Sequence, residues 1–161
     1  CEDPVVFLEP KHNYWLKGEL DRSSTPEALG TARIVQPGDD LTLVTYGALV
    51  PTAVKVAAEA AQDGRSIEVI DLRSLSPIDD ASILASVKRT GRLVVAHEAS
   101  RTAGIGAEIA ARVQDEIFYH LEAPVIRATG YDTPYPPSRL EDDWLPGLDR
   151  ILDAVDRSFT Y

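Results

Sequence analysis

The stretch "LVVAHEASRTAGIGAEIA", Leu93 to Ala110, passes from an apolar tetrapeptide through an ionisable pair, His97–Glu98, into a glycine turn and a helical pattern. "LVVA" has the length and composition of a strand buried on both faces. Ile105, Ile109, Val113 and Ile117 then recur every fourth residue, which sets them on one side of a helix. A buried strand that turns through glycine into an amphipathic helix is half of a strand–helix–strand unit.

The same unit repeats on either side. Leu41–Tyr46 ("LTLVTY"), Ile67–Ile70 ("IEVI") and Val125–Ala128 ("VIRA") are further apolar runs of strand length. Three more helical patterns accompany them. The first has Pro51 in its opening turn and Gly64 past its end, with Val54, Ala57, Ala58 and Ala61 as its apolar stripe. The second is expected to start at Ser76–Pro77, to turn Ile83, Leu84 and Val87 inward and to stop at Gly91. The last begins near Pro146 and carries Leu148, Ile151, Leu152, Val155 and Phe159 on one face. Strand alternating with helix predicts an α/β fold, a three-layer α/β/α sandwich on a mostly parallel sheet. "TARIV", Thr31 to Val35, is expected as an extra strand at the sheet edge. Residues 9–30 are polar and aperiodic and read as a long connector, the kind that joins domains or serves a function. The expected division is therefore 1–30, the end of a preceding domain with the connector, and 31–161, the main domain.

The 161 residues are one domain's length, and 44% hydrophobic with 26% charged residues is ordinary for a globular chain. Twenty-six acidic against 16 basic residues give a net charge of −10. That argues against nucleic acid or an anionic membrane as partner and favours a basic protein. Cys1 is the only cysteine, so no intrachain disulfide or multi-cysteine metal cluster can form, and a cytoplasmic location is expected. No run approaches the roughly 18 apolar residues of a membrane span. The chain opens on "CEDPVVFLEP" without Met, from which a piece of a longer protein is expected.

Several stretches invite a chemical reading. His97–Glu98 follows "LVVA" at the carboxyl end, where open α/β sheets bind ligands. A His beside a carboxylate suits a general base, but neighbours on an extended chain point to opposite faces. The alternative is a His97 that hydrogen-bonds loops or a subunit neighbour. "AGIGAE" has Gly104 and Gly106 but Ile109 where the dinucleotide fingerprint has its third glycine, and it lacks the Lys–Ser/Thr of a P-loop. A tight turn and close helix–sheet approach account for both glycines. "YGALVP", Tyr46 to Pro51, offers one glycine before a helix, a weak anion signal. His12, His97 and His120 have no zinc-ligand spacing, and no G-x-S-x-G elbow occurs. In "TGYDTPYPPSRLEDDWLP", Thr129 to Pro146, prolines stiffen a segment bearing Tyr131, Tyr135 and Trp144 beside Glu141, Asp142 and Asp143. It reads equally as a protein interface with an acidic rim or as a surface crossover.

Five stretches carry a family resemblance: "GDDLTLVTYGALVPTAVKVAAEA", "IEVIDLRSLSPID", "TGRLVVAHEASRTAGIGAEIA", "LEAPVIRATGYDTPYPP" and "WLP". In this order and spacing they resemble the carboxy-terminal half of the β subunit of thiamine-dependent 2-oxo acid dehydrogenases, a transketolase-like C-terminal domain. "DPVVFLEPKHNY" resembles the end of that subunit's pyrimidine-binding domain. The "AHEA" turn and "LEAPVIRATGYDTP" are closer to branched-chain than to pyruvate members. Where such proteins commonly read T-G-G-F-G, this chain has Thr102-Ala103-Gly104-Ile105-Gly106.

The resemblance implies thiamine diphosphate and magnesium in the holoenzyme, with no catalytic, cofactor or metal residue, and no cofactor, expected in this chain itself. It implies an α subunit, a second β subunit and the subunit-binding domain of a lipoyl acyltransferase as partners. Glu122, Asp132 and the Tyr161 carboxylate are the candidates for that docking surface. His97 and Glu98 are candidates for a subunit contact or the approach to the active site. Two rivals stand beside this reading. One is the C-terminal domain of another transketolase-type enzyme such as deoxyxylulose phosphate synthase, with Arg101 and Arg127 as phosphate candidates. The other is a free-standing, non-enzymatic α/β binding module.

Overall fold

Short apolar runs that cannot each bury two faces alone pair into a single sheet. In the computed structural model, residues 2, 4–19, 23 and 28–161 are described. Cys1, Asp3 and, within the expected connector, residues 20–22 and 24–27 lie outside them. The strands β1 (Arg33–Gln36), β2 (Leu41–Thr45), β3 (Ile67–Asp71), β4 (Leu93–Ser100) and β5 (Ile126–Gly130) stand in the order β1-β3-β2-β4-β5. All are parallel except β1, which lies antiparallel on β3. Every residue of β2 is buried, as a strand covered on both faces requires. β1 is largely exposed, Ile34 included, which suits the edge position expected for "TARIV".

Helices α1 (Val50–Gln62) and α5 (Leu148–Ser158) cover one face, α2 (Asp80–Thr90) and α3 (Ile105–Ile117) the other. Leu43, Val69, Val94 and Ala128 pack with Val56, Ala57, Ile151 and Val155 in the first core. Val44, Ile70 and Val95 pack with Ile83, Val87, Ile109 and Val113 in the second. Alternate residues of each strand thus divide between two cores, as a two-residue period demands. This is the three-layer α/β/α sandwich that the sequence predicts. A short helix, α4 (Glu141–Trp144), precedes α5. No helix among the described residues is long and apolar enough to cross a membrane.

Three local expectations are corrected. The buried side of α1 is Ala53, Val56, Ala57 and Ala60; Ala58 and Ala61 are exposed and Val54 half-buried. Five alanines in one helix blur its periodicity, and the bulk of Val56 against the sheet fixes the rotation. The second helix begins at Asp80, not at Ser76–Pro77, whose cis peptide belongs to the preceding loop. Asp79 decides that start. Its carboxylate accepts the Ser82 N–H at 3.1 Å and the Ser82 hydroxyl at 2.7 Å, a side-chain N-cap. The same carboxylate accepts the Ala32 N–H at 2.9 Å and so ties the approach to β1 onto α2. Finally, β4 runs on to Ser100, so His97 and Glu98 lie within the strand and not in a turn after it.

Two features lie beyond this periodicity. Thr42 in β2 hydrogen-bonds Ser86 at 2.6 Å and Thr90 at 2.8 Å, a buried hydroxyl cluster between sheet and α2. Near the start of the chain, Val5, Val6, Phe7, Leu8 and Trp15 are exposed, Phe7 at 77% and Trp15 at 89%.

Asp79→Ala removes a cap and the Ala32 anchor together. It should lower unfolding free energy by about 1–2 kcal/mol, read from the urea midpoint at unchanged slope. Ser82→Ala, which leaves both backbone bonds in place, should cost less.

Candidate functional site

His97 is fully buried within β4, and both of its ring nitrogens are engaged. The Gly106 N–H donates to Nε2 at 3.1 Å, so Nε2 carries a lone pair and the ring proton sits on Nδ1. Nδ1–H in turn donates to the Ala99 carbonyl at 3.1 Å. Burial pushes the imidazole below its ordinary range, the Ala99 bond opposes this, and the Arg127 charge adds to it. His97 is therefore a neutral strut between β4 and the first turn of α3. With one nitrogen bonded to β4 and the other to α3, it has none free to act as a general base.

The glycines of "AGIGAE" exist for this ring. A Cβ on Gly106 would come within 2.6 Å of His97 Nε2, and one on Gly104 within 2.7 Å of Cε1 and 2.3 Å of the Ser100 carbonyl. Tyr46 stacks on the other side of the imidazole, centroids 6.3 Å apart at 23°. Ala103, just before the turn, has φ of +58°, the left-handed region where a Cβ is strained.

Glu98 is half-buried, and burial raises its carboxyl above the usual range, with Glu141 adding to this and His12 opposing. Burial, then the Glu98 charge, raises the Tyr46 phenol as well. Glu98, Tyr46, His12 and Glu141 thus share the carboxyl end of the strands, where burial disfavours the charged form of both the Glu98 carboxyl and the Tyr46 phenol. The aromatic stretch after β5 folds back over it. Gly130 lets Trp144 and the Glu98 carbonyl approach to where a Cβ would meet them at 2.5 and 2.3 Å. Trp144 Nε1 donates to Thr133 at 2.9 Å, and Tyr135 meets the Trp144 ring edge-on at 5.0 Å. Tyr131 and Tyr135 stay about half exposed, so the stretch is a crossover with two aromatic faces left outward.

The structure does not gather the docking candidates into one patch. Asp132 lies at the carboxyl end of β5 and accepts the Thr102 N–H at 2.8 Å and the Thr102 hydroxyl at 2.7 Å. These bonds hold its carboxyl below the usual range. Glu122 lies at the opposite end of the sheet, ion-paired with Arg92, whose Nε donates to the Ser158 carbonyl at 3.2 Å. Arg92 and Arg65 both stack on Phe159, 5.1 and 4.7 Å from the ring centroid. Glu122 thereby shares an end of the molecule with exposed Tyr161. Among the described residues no three His, Cys, Asp or Glu side chains converge as a metal site. Sequence reading missed Tyr46 as the ring's stacking partner; its place just past "LTLVT", beside "LVVA" in the sheet, was the available signal.

A His whose folded pKa lies below its unfolded value penalises the fold once the unfolded chain protonates. The penalty is absent well above pH ~6.5 and grows as pH falls below it. Stability should drop between about pH 7 and 5.5, and His97→Gln, which can still accept from Gly106, should lose less across that window in thermal melts. Ala103→Gly should raise stability by about 0.5–1 kcal/mol, because it relieves the left-handed strain against a partly offsetting gain in unfolded entropy.

Residues 30–151 match the family model described as transketolase, C-terminal domain. The chain is 53% identical over 160 residues to the pyruvate dehydrogenase E1 component subunit beta of Leifsonia xyli subsp. xyli (strain CTCB07), covering 99% of this chain and 48% of that protein. It is 56% identical over 158 residues to the 3-methyl-2-oxobutanoate dehydrogenase subunit beta of Mycobacterium tuberculosis (strain ATCC 25618 / H37Rv), covering 98% and 45%. The chain thus spans about half the length of the curated relatives it matches. Among solved structures, a split-gene transketolase described as an inactive beta4 tetramer superposes with a TM-score of 0.75 at 24% identity, over 89% of this chain and 46% of that one. That likeness carries the fold. A two-core sandwich of this strand order, matched by the family model over most of its length, belongs to the transketolase C-terminal domain family.

Proposed function

We propose that this chain is the C-terminal part of the β subunit of a 2-oxo acid dehydrogenase decarboxylating component, cytoplasmic and with a preference for branched-chain 2-oxo acids. The observation that carries this is identity above one half to β subunits of such enzymes over 98–99% of the chain. Residues 1–30 are then the end of a preceding pyrimidine-binding domain with its connector, and 31–161 the C-terminal domain. The exposed apolar run Val5–Leu8 and Trp15 supports that division, because side chains of this kind ordinarily pack against a sheet.

In the holoenzyme, thiamine diphosphate with magnesium supplies the decarboxylating chemistry, and the acyl group passes to a lipoyl arm. The side chains described here do not fit that cofactor. His97 has neither nitrogen free, and the carboxylates Glu122 and Asp132 lie at opposite ends of the sheet, each already engaged. The work of this part is assembly: contact with an α subunit and a second β subunit, and docking of the subunit-binding domain of a lipoyl acyltransferase. Glu122 and the Tyr161 carboxylate, at one end of an acidic chain, suit a basic docking domain. Asp132 serves a separate contact at the other end. Glu98 and Tyr46 border the approach to the cofactor.

Co-expression of the complete subunit with its α partner tests the assignment. Oxidative decarboxylation of 2-oxoisovalerate faster than of pyruvate is expected, and no activity on either overturns it. Calorimetry of the chain alone with thiamine diphosphate should give no magnesium-dependent binding heat, and tight magnesium-dependent binding would refute the assembly role. Glu122→Gln combined with deletion of Tyr161 should weaken capture of the subunit-binding domain about tenfold, equivalent to 1.4 kcal/mol, with decarboxylation unchanged.

A further inference from the structure

The outer edge of β5 borders a recess of about 500 Å³ whose lining includes Arg101, Arg127, Arg150 and Arg157. The first three form no ion pair among the described residues. Arg101 donates to the Arg127 carbonyl at 3.3 Å, and Arg127 returns a bond to the Arg101 carbonyl at 3.0 Å. Arg150 donates to the carbonyls of Trp144, at 2.9 Å, and Thr129. It also lies 4.4 Å over the Tyr131 ring. A guanidinium has five donors, so each of the three keeps three or more. Asp132, Asp149 and Asp153 also line the recess. Asp132 has both oxygens on Thr102, and Asp153 reaches Arg157 only at 3.8 Å. Four arginines against three aspartates make the recess net positive on a chain of net charge −10.

We propose that this recess binds a small, multiply charged oxyanion of metabolite size, gripped by Arg101, Arg127 and Arg150. Guanidiniums held in place by carbonyls are already oriented, and a charge-assisted pair to phosphate or carboxylate is the strong use of such a fork. The volume falls in the range of small-molecule sites. The edge does not suit an added strand. The carbonyls of Arg127 and Thr129, two residues apart and so on the same side of β5, already hold guanidiniums where an incoming strand would need to bond. The ligand is therefore a compact anion and not a peptide. This inference stands or falls independently of the dehydrogenase assignment, since its readout is binding to this chain.

The test is calorimetric titration of the full chain with pyrophosphate and with citrate, at ionic strength fixed by sodium chloride. One saturable site is expected for at least one probe. Tighter pyrophosphate binding marks a phosphate ester as the natural class, and tighter citrate binding a polycarboxylate. Arg101→Gln should weaken binding about tenfold, the scale of one charged hydrogen bond. Because Arg101→Gln also removes the bond to the Arg127 carbonyl, the unaltered chain supplies a second readout. The side-chain Nε–H resonances of Arg101, Arg127 and Arg150 should shift together as pyrophosphate is added. Absence of saturable heat with both probes, or shifts confined to other arginines, overturns the proposal.

Discussion

The location of every candidate site in this molecule is governed by the sealing of β2 and β4 between two helical layers. A strand without a solvent face can place reactive or binding groups only past its ends or along the sheet edges. Leu41 to Thr45 are wholly buried, and Leu93 to His97 likewise, so the carboxyl end of the strands and the outer side of β5 become the places where chemistry or recognition can occur. Glu98, Asp132 and the guanidiniums of Arg101, Arg127 and Arg150 all sit there.

His97 shows how that constraint decides between two readings of one residue. As the last fully buried position of β4, it must satisfy both nitrogens inside the protein, and it does so with the Ala99 carbonyl and the Gly106 amide. The price of this arrangement is two glycines, Gly104 and Gly106, on either side of Ile105, which resemble a phosphate cradle in sequence but leave no room for one. Here the resemblance to a nucleotide motif and the geometry that produces it have one cause, a ring that needs space.

The layered fold was legible because its periods are simple: four buried runs of strand length and a clean four-residue repeat from Ile105 to Ile117. Family membership was legible from ordered motifs rather than from any single residue. What escaped had physical reasons. An alanine-rich helix has no sharp apolar side, so the stripe of α1 was misplaced. Pro77 advertises a helix start, but Asp79 outbids it with three hydrogen bonds, one of them to an amide 47 residues away in sequence, which no local pattern encodes. The separation of Glu122 from Asp132 follows from the direction of β5, since residues just before and just after one strand lie at its opposite ends. Of the arginine-lined recess only Arg101 and Arg127 were legible as anion candidates; Arg150 joins them from α5, and the carbonyls that orient all three carry no sequence signature.

Thr42, Ser86 and Thr90 have a consequence beyond the bonds they make. Apolar ridges of Ile and Val are interchangeable enough that a helix can slide or roll by one position on a sheet at small loss. Three hydroxyls in a dry layer cannot, because any displacement strands at least one of them without a partner. The cluster therefore acts as an indexing pin, converting a merely greasy contact into one with a single permitted alignment.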